Sequence, residues 1–341
     1  MDSAVALIIF ASYFLIIITL FGIVLNELLQ KYGLHRDSFS RKRATLFAFL
    51  AVVSFAHTWY YMFRFMEWSF RDYESKVGAY DGSFIERLGN WLVGTALFEQ
   101  AWRTVCYGAS NWWWSQQLCS YTVGSWTIFI FVEGNRRNIR HVWAYMFLGQ
   151  LVAISVASNL FYVAISLSAA RPVKQVAFHP VVSCSVLLSL LAVACTPLTS
   201  EHTFLPNLLL MHTLAMVPLL CGPYLDAFKD FSMNVRLLHT QVLFISVCIH
   251  VSSSLIVFFS SDQPVAAVLW STLFSHPAQS SIGWDVIWTS ASFVLWSILT
   301  NQTSTRRGIV SLMLTPLVSV GVVAPVVALV DEESRLIRKT E

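Results

Sequence analysis

The sequence predicts an all-α fold, a polytopic integral membrane bundle of helices, on three observations. Only 12% of its 341 residues are charged, against roughly 25% in an average soluble chain. Hydrophobic residues make up 56%, and mean hydropathy is +0.62. Nine apolar stretches are each about as long as the ~20 residues that a bilayer core demands. These figures exclude a disordered chain, a coiled coil and an ordinary water-soluble enzyme. A net charge of +3 over such a chain builds no nucleic-acid surface either.

The stretches run over 4–29, 44–65, 111–132, 143–168, 180–198, 205–223, 240–261, 283–300 and 308–330. Lipid offers the backbone no partners, so each is expected to be a transmembrane helix. The first is too long for a signal-peptide core, and its basic residues follow it. Lys31, Arg36, Arg41, Lys42 and Arg43 therefore mark the first loop as cytosolic, with the N-terminus in the lumen. The loop 67–90 is net acidic and suits the lumen. The loop 133–142 holds Arg136, Arg137 and Arg140 and suits the cytosol. Stretch 85–107 carries Trp91, Phe98, Trp102 and Val105 on one face, but Glu99, Gln100 and Arg103 make it too polar to span. It predicts an interfacial or re-entrant helix on the lumenal side. Stretch 264–274 is apolar but short and precedes His276-Pro277, so the expected count is eight or nine spans in one membrane domain, 1–341. No internal repeat and no pair of broken helices of the transporter kind stands out.

The six cysteines fall at no metal-ligand spacing and read as small hydrophobes. A Cys106–Cys119 disulfide is a minor alternative. The nine histidines form no metal-binding box, and no DDxxD, DxDD or NDxxDxxxD occurs. Hard cations holding a diphosphate need such carboxylate clusters. The nearest approach, Asp226 to Asp230 with Lys229 between, reads as a solvated loop face. No cofactor and no metal are expected.

Ionisable residues at membrane depth are functional candidates, because each costs ~2.5–3.5 kcal/mol to insert. Ser54, His57, Tyr61 and Arg64 recur at 3-4-3 spacing, on one helix face, with Glu67 within reach of Arg64. A hydrogen-bonding stripe with Arg64 reaching for the surface explains them as well as a site does. Glu99 and Arg103 form an i,i+4 pair, which is either a surface ion pair or part of a site. Asp285, Thr289, Ser292 and Trp296 share a face. Dehydration by Trp284 and Trp288 favours a neutral Asp285, whereas a helix N-terminus favours its anion. Asn159, His212 and His250 are lone polar residues that helix contacts account for.

Aromatic residues cluster too: eight of the fifteen residues 59–73 are aromatic, and Trp112, Trp113 and Trp114 open the third stretch. An interfacial belt accounts for some of this. A cup of π-faces also stabilises a cation, by ~2 kcal/mol per desolvated contact. Carboxyls beside such a cup suit acid-triggered chemistry on a hydrophobic polyene. The expected acids are Asp285, then Glu99, then Glu67, with His57 as proton relay. Arg64, Tyr61, Trp102, Trp113, Asn159 and Trp288 are the expected substrate contacts.

LFEQAWRTVC (97–106), WWWSQQL (112–118), the block EGNRRNIRHVWAYMFLGQLVAISVASNLFYVAI (133–165) and HPAQSSIGWDVIW (276–288) resemble the fungal membrane-bound meroterpenoid terpene cyclases of the ascofuranone and macrophorin kind. The resemblance covers about two-thirds of the chain. It implies a metal-independent isomerase of fungal secondary metabolism, set in the endoplasmic reticulum membrane. Such enzymes take a farnesylated aromatic, usually an epoxide made by an upstream monooxygenase, and close it into a ring by acid catalysis. A membrane aromatic prenyltransferase and a non-catalytic, transporter-like membrane protein are the alternatives.

Overall fold

The computed structural model describes residues 2–35, 37–78, 82–170, 177–221, 233–300 and 305–340. Asp226 to Asp230, Arg36, Asp81 and the sequon at 301–303 lie outside the described residues. The fold is helical apart from a two-residue antiparallel pairing of β1 (Ala177–Phe178) with β2 (Met233–Asn234). Cys106 and Cys119 are buried free thiols.

α1 (Ser3–Leu34) starts at Asp2, whose carboxylate accepts the Ala4 amide. It exposes Ile8, Leu15, Ile16 and Ile18, an outward apolar surface of the kind that lipid tails cover. α2 (Ser38–Val77) is capped by Asp37, which accepts from the amides of Phe39 and Ser40. Its 40 residues reach about 60 Å, twice the ~30 Å hydrocarbon core, so one end stands clear of the membrane. α3 (Phe84–Gly94) opens with a Ser83–Glu86 capping box, and α4 (Leu97–Cys106) follows a break at Thr95 and Ala96. The expected interfacial helix is therefore two short helices. Ser3 Oγ donates to Asn90 Oδ1 at 3.3 Å and Ser69 Oγ to Gln100 Oε1 at 2.7 Å, which places both against one end of the bundle.

α5 (Ala109–Tyr121), a π-turn (Thr122–Trp126) and α6 (Thr127–Arg136) continue through right-handed helical joints as one composite helix of about 40 Å. The stretch 143–168, expected to be one span, is instead folded back on itself. α7 (Val142–Leu151) ends at Val152, the extended Ala153 breaks the helix, and α8 (Ile154–Ser166) returns. Arg137, just before α7, donates to the carbonyls of Ile165 at 3.0 Å and Ser168 at 2.5 Å, just past α8. Both outer ends thus lie together. The arms measure ~15 and ~20 Å, each too short to cross alone. They form a re-entrant hairpin. A Cβ on Gly149 would stand 2.6 Å from Ile154 Cδ1, so the two arms pack closely at the tip.

α9 (Pro180–Cys195), α10 (Phe204–Cys221), α11 (Val235–Phe259), α12 (Val265–Leu273) and α13 (Pro277–Thr300) follow. The last expected span, 308–330, is also broken. α14 (Thr305–Val318) and α15 (Val320–Thr340) meet at Ser319, whose φ of 77° is left-handed, and they pack on each other as a second hairpin.

Among the described residues six helices are long and apolar enough to cross a membrane: α1, α2, α9 with the short turn after it, α10, α11 and α13. The composite α5–α6 helix has the length of a seventh. The protein is an all-α, multi-pass integral membrane bundle, and the lipid bilayer is its solvent. Its two basic loops meet at one end. Glu27 there accepts the Arg140 amide at 3.0 Å and pairs with Lys31 at 3.0 Å, and Lys31 donates to Ser168 Oγ at 2.8 Å. At the centre α2, α8 and α13 pack together, with Phe47 against Tyr162 at 5.1 Å and Tyr162 stacked on Trp296 at 5.3 Å.

Candidate functional site

The α2–α13 seam holds the densest meeting of the expected residues. Trp284 and Trp288 are one turn apart on α13, so both rings reach α2 at the same level. Trp288 Nε1 donates to His57 Nδ1 at 3.2 Å. The Trp284 ring lies 4.3 Å from the imidazole, and the Tyr61 ring 5.7 Å. His57, Tyr61, Trp284 and Trp288 are all half-buried. Because Nδ1 accepts from the indole, a neutral His57 carries its proton on Nε2. Ser281 Oγ donates to the Thr58 carbonyl at 3.0 Å and ties the same two helices one turn away.

Asp285 sits beside Trp284 in sequence but faces α8. Its Oδ2 accepts the Ile154 amide at 2.9 Å and its Oδ1 the Ser155 amide at 2.8 Å, and Thr289 Oγ1 lies 3.5 Å away. A helix N-terminus at membrane depth leaves amides that nothing in lipid satisfies. Asp285 satisfies two of them. Both of its oxygens therefore act as acceptors. The same tip is held from two other sides. Tyr13 Oη donates to the Leu151 carbonyl at 2.6 Å, and Gln150 Nε2 donates to the His212 carbonyl at 3.2 Å. Asn159, one turn along α8 from Ser155, is fully buried, and neither side-chain polar atom has a partner in the structure.

The other expected residues lie in separate places. Glu67, on the far end of α2, pairs with Arg64 at 2.8 Å and Arg71 at 2.5 Å. Glu99 accepts from Arg103 through Nε at 2.8 Å and Nη2 at 2.7 Å. That bond holds the Arg103 guanidinium above its ordinary range, and Arg103 also donates to the Glu201 carbonyl at 2.6 Å. Trp102, on α4, has its ring 5.5 Å from His212. Trp113 Nε1 donates to Ser254 Oγ at 3.0 Å, with its ring 5.9 Å from His250. His57, Tyr61 and Trp288 are brought together. Asp285 faces α8 with Asn159 one turn beyond its partner Ser155, and Glu67, Glu99, Arg64, Trp102 and Trp113 lie elsewhere.

His250, expected to make a helix contact, meets Gln116 Nε2 at 2.9 Å, and its ring faces the Leu317 backbone just before the Ser319 break, which sequence reading did not anticipate. Both tips are thus held by polar side chains from other helices. Pro316, Ser319 and Gly321 inside an apolar run were the available signal for that break. Gly149-Gln150 was a weaker one for the first.

Among the described residues no three His, Cys, Asp or Glu side chains converge in a way that would hold a metal ion. A half-open cavity of about 190 Å³ lies away from His57, at the basic end. A family described as Protein of unknown function DUF2834 matches residues 106–166 and 241–332. The two matched blocks are less than half of the chain, yet they contain the first hairpin, most of the second, Asp285 and His250. No curated protein and no solved structure matches the chain.

Proposed function

We propose that this protein is a membrane isomerase of the endoplasmic reticulum that cyclises a prenylated aromatic epoxide. The observation that carries the reading is the histidine set among three aromatic rings, half-open to the membrane, at the α2–α13 seam. His57, once Trp288 turns its indole N–H away and Nδ1 is protonated, gives its Nε2 proton to the epoxide oxygen, and the C–O electron pair moves onto that oxygen. Cationic character on the tertiary carbon is stabilised by the faces of Tyr61, Trp284 and Trp288. A hydroxyl of the substrate then attacks that carbon and returns its proton to the neutral imidazole, so atoms and protons balance as an isomerisation. General acid catalysis of this kind contributes ~10²–10⁴-fold.

The assignment moves the acid from the carboxylates to His57. Asp285 is committed to two backbone amides, and Glu67 and Glu99 are each committed to arginine. Asp285 becomes a positioning residue, because it fixes the α13 turn that presents Trp284 and Trp288. The resemblance to the fungal meroterpenoid cyclases agrees with this substrate class.

A transporter-like reading has one specific observation in its favour. Two broken hydrophobic segments, each with its break inside the bundle, are the arrangement that translocation sites use. Microsomes containing the chain separate the two. Supplied with farnesylated phenol epoxides, they should yield a product of unchanged mass with a new ring by NMR, and EDTA should leave the rate unaltered. Unchanged epoxide, with the same compounds moved across sealed vesicles, would favour the transporter. Activity lost to EDTA and restored by Mg²⁺ would favour a prenyltransferase.

A further inference from the structure

The cavity at the basic end is a chemically different place. It is lined by His35 and Ser40 at the start of α2, by Arg43 one turn on, by Arg137 and by the α8 terminus, with Trp296 as an apolar wall. It measures about 190 Å³ and is open to the outside.

The donors around it are only partly used. Arg137 is engaged with Glu133 through Nε at 2.9 Å and with the Ile165 and Ser168 carbonyls, so it is fixed in place. Arg43 donates through Nη2 to Ser40 Oγ at 3.3 Å, but its Nε is buried without a partner. His35 Nε2 is likewise buried without a partner. Buried donors of a cation are almost always satisfied, and leaving one unmade costs more than making it returns. Arg43 feels the attraction of Asp37 and, more weakly, the repulsion of Arg137, and the two guanidiniums line the same opening. Among the described residues lining it there is no carboxylate. An anion would satisfy both orphan donors and separate the two cations.

We infer that this cavity is a binding site for a phosphate group, held by Arg43, His35 and Ser40 against Arg137. Tetrahedral oxygens match donors that converge from α2 and from the loop before α7, and a guanidinium fork binds phosphate in charge-assisted bonds. The phosphate of an anionic lipid headgroup and a free phosphate share this chemistry. The inference stands apart from the proposed cyclisation and uses none of its residues.

The purified full chain in neutral detergent is tested with inorganic phosphate and pyrophosphate, against chloride at matched ionic strength. A second arm places it in nanodiscs of phosphatidylcholine with and without phosphatidic acid. Thermal midpoint and ligand retention in native mass spectrometry are the readouts. Phosphate-bearing species should raise the midpoint of wild type and of Lys42→Gln, whose side chain is exposed and lines no part of this cavity. Arg43→Gln should weaken binding about tenfold, and Ser40→Asp, which puts a carboxylate in the cavity, should abolish it. A response only to phosphatidic acid assigns the site to lipid, and one only to soluble phosphates assigns it to a free ligand. No response in any arm, or an unchanged response in whichever of Arg43→Gln and Ser40→Asp folds, overturns the inference.

Discussion

Asp285 on α13 holds the Ser155 amide of α8 at 2.8 Å, across 130 residues of sequence. With the neighbouring Ile154 amide also bound, one carboxylate closes a helix start that would otherwise point bare N–H groups into the membrane. The bond couples the re-entrant hairpin to the helix that carries Trp284 and Trp288, so hairpin and aromatic site form one mechanical unit.

Replacing that carboxylate should loosen the hairpin tip before anything else. Asp285→Ala strands two amides, at about 1–3 kcal/mol each, whereas Asp285→Asn keeps one acceptor and should lose about half as much. Thermal unfolding in detergent orders the variants. Hydrogen exchange should rise first at 154–157. Equal protection in Asp285→Ala and wild type would show that the cap is not what holds α8.

Folding the α7–α8 stretch as a hairpin sets residues 135 and 169 on the same side of the membrane. In a background without native thiols, Asn135→Cys and Ala169→Cys should both react with a membrane-impermeant maleimide from one side. Labelling from opposite sides would restore a single spanning helix.

The membrane class, the helical stretches and the two basic loops were legible because hydropathy and charge are local quantities. The hairpins were not. An apolar run of 26 residues, 143–168, has the composition of a span whether it crosses or turns back. What turns it is the Asp285 carboxylate arriving from far away in the chain. The same holds for the site. His57 and Tyr61 lie on one face of α2 by spacing alone, and Trp284 and Trp288 on one face of α13, but their meeting is a tertiary fact. Asp285 drew attention as an isolated carboxyl beside tryptophans, which is also how a buried helix cap reads.

Glu133 at the hairpin base gives a pH signature. Burial alone would raise its carboxyl, but Arg136 at 3.0 Å and Arg137 at 2.9 Å outweigh that and hold it below its ordinary value of 4.5. The unfolded chain then binds the proton more readily than the folded one. Its stabilising contribution is complete above about 4.5 and falls away as pH drops through the lower folded value. Melting curves between neutral and strongly acidic pH should show this loss in wild type and less of it in Glu133→Gln. Parallel curves would remove the clamp from the account.

The last prediction separates chemistry from support. His57 is half-buried and its ring hydrogen-bonds Trp288, so His57→Gln and His57→Phe should express and melt close to wild type. If the imidazole carries the proton, both should lose about 10²–10⁴ in cyclisation rate, because neither side chain can donate an acidic proton. Trp288→Phe keeps an aromatic face and removes the indole N–H that occupies Nδ1, so turnover should stay within about tenfold of wild type. Asp285→Asn should lose rate only in proportion to its loss of stability, and cooling the assay should recover part of that rate. His57→Phe should recover nothing on cooling. Product formation by His57→Phe at near wild-type rate, in a protein that melts normally, would take the acid out of the α2–α13 seam.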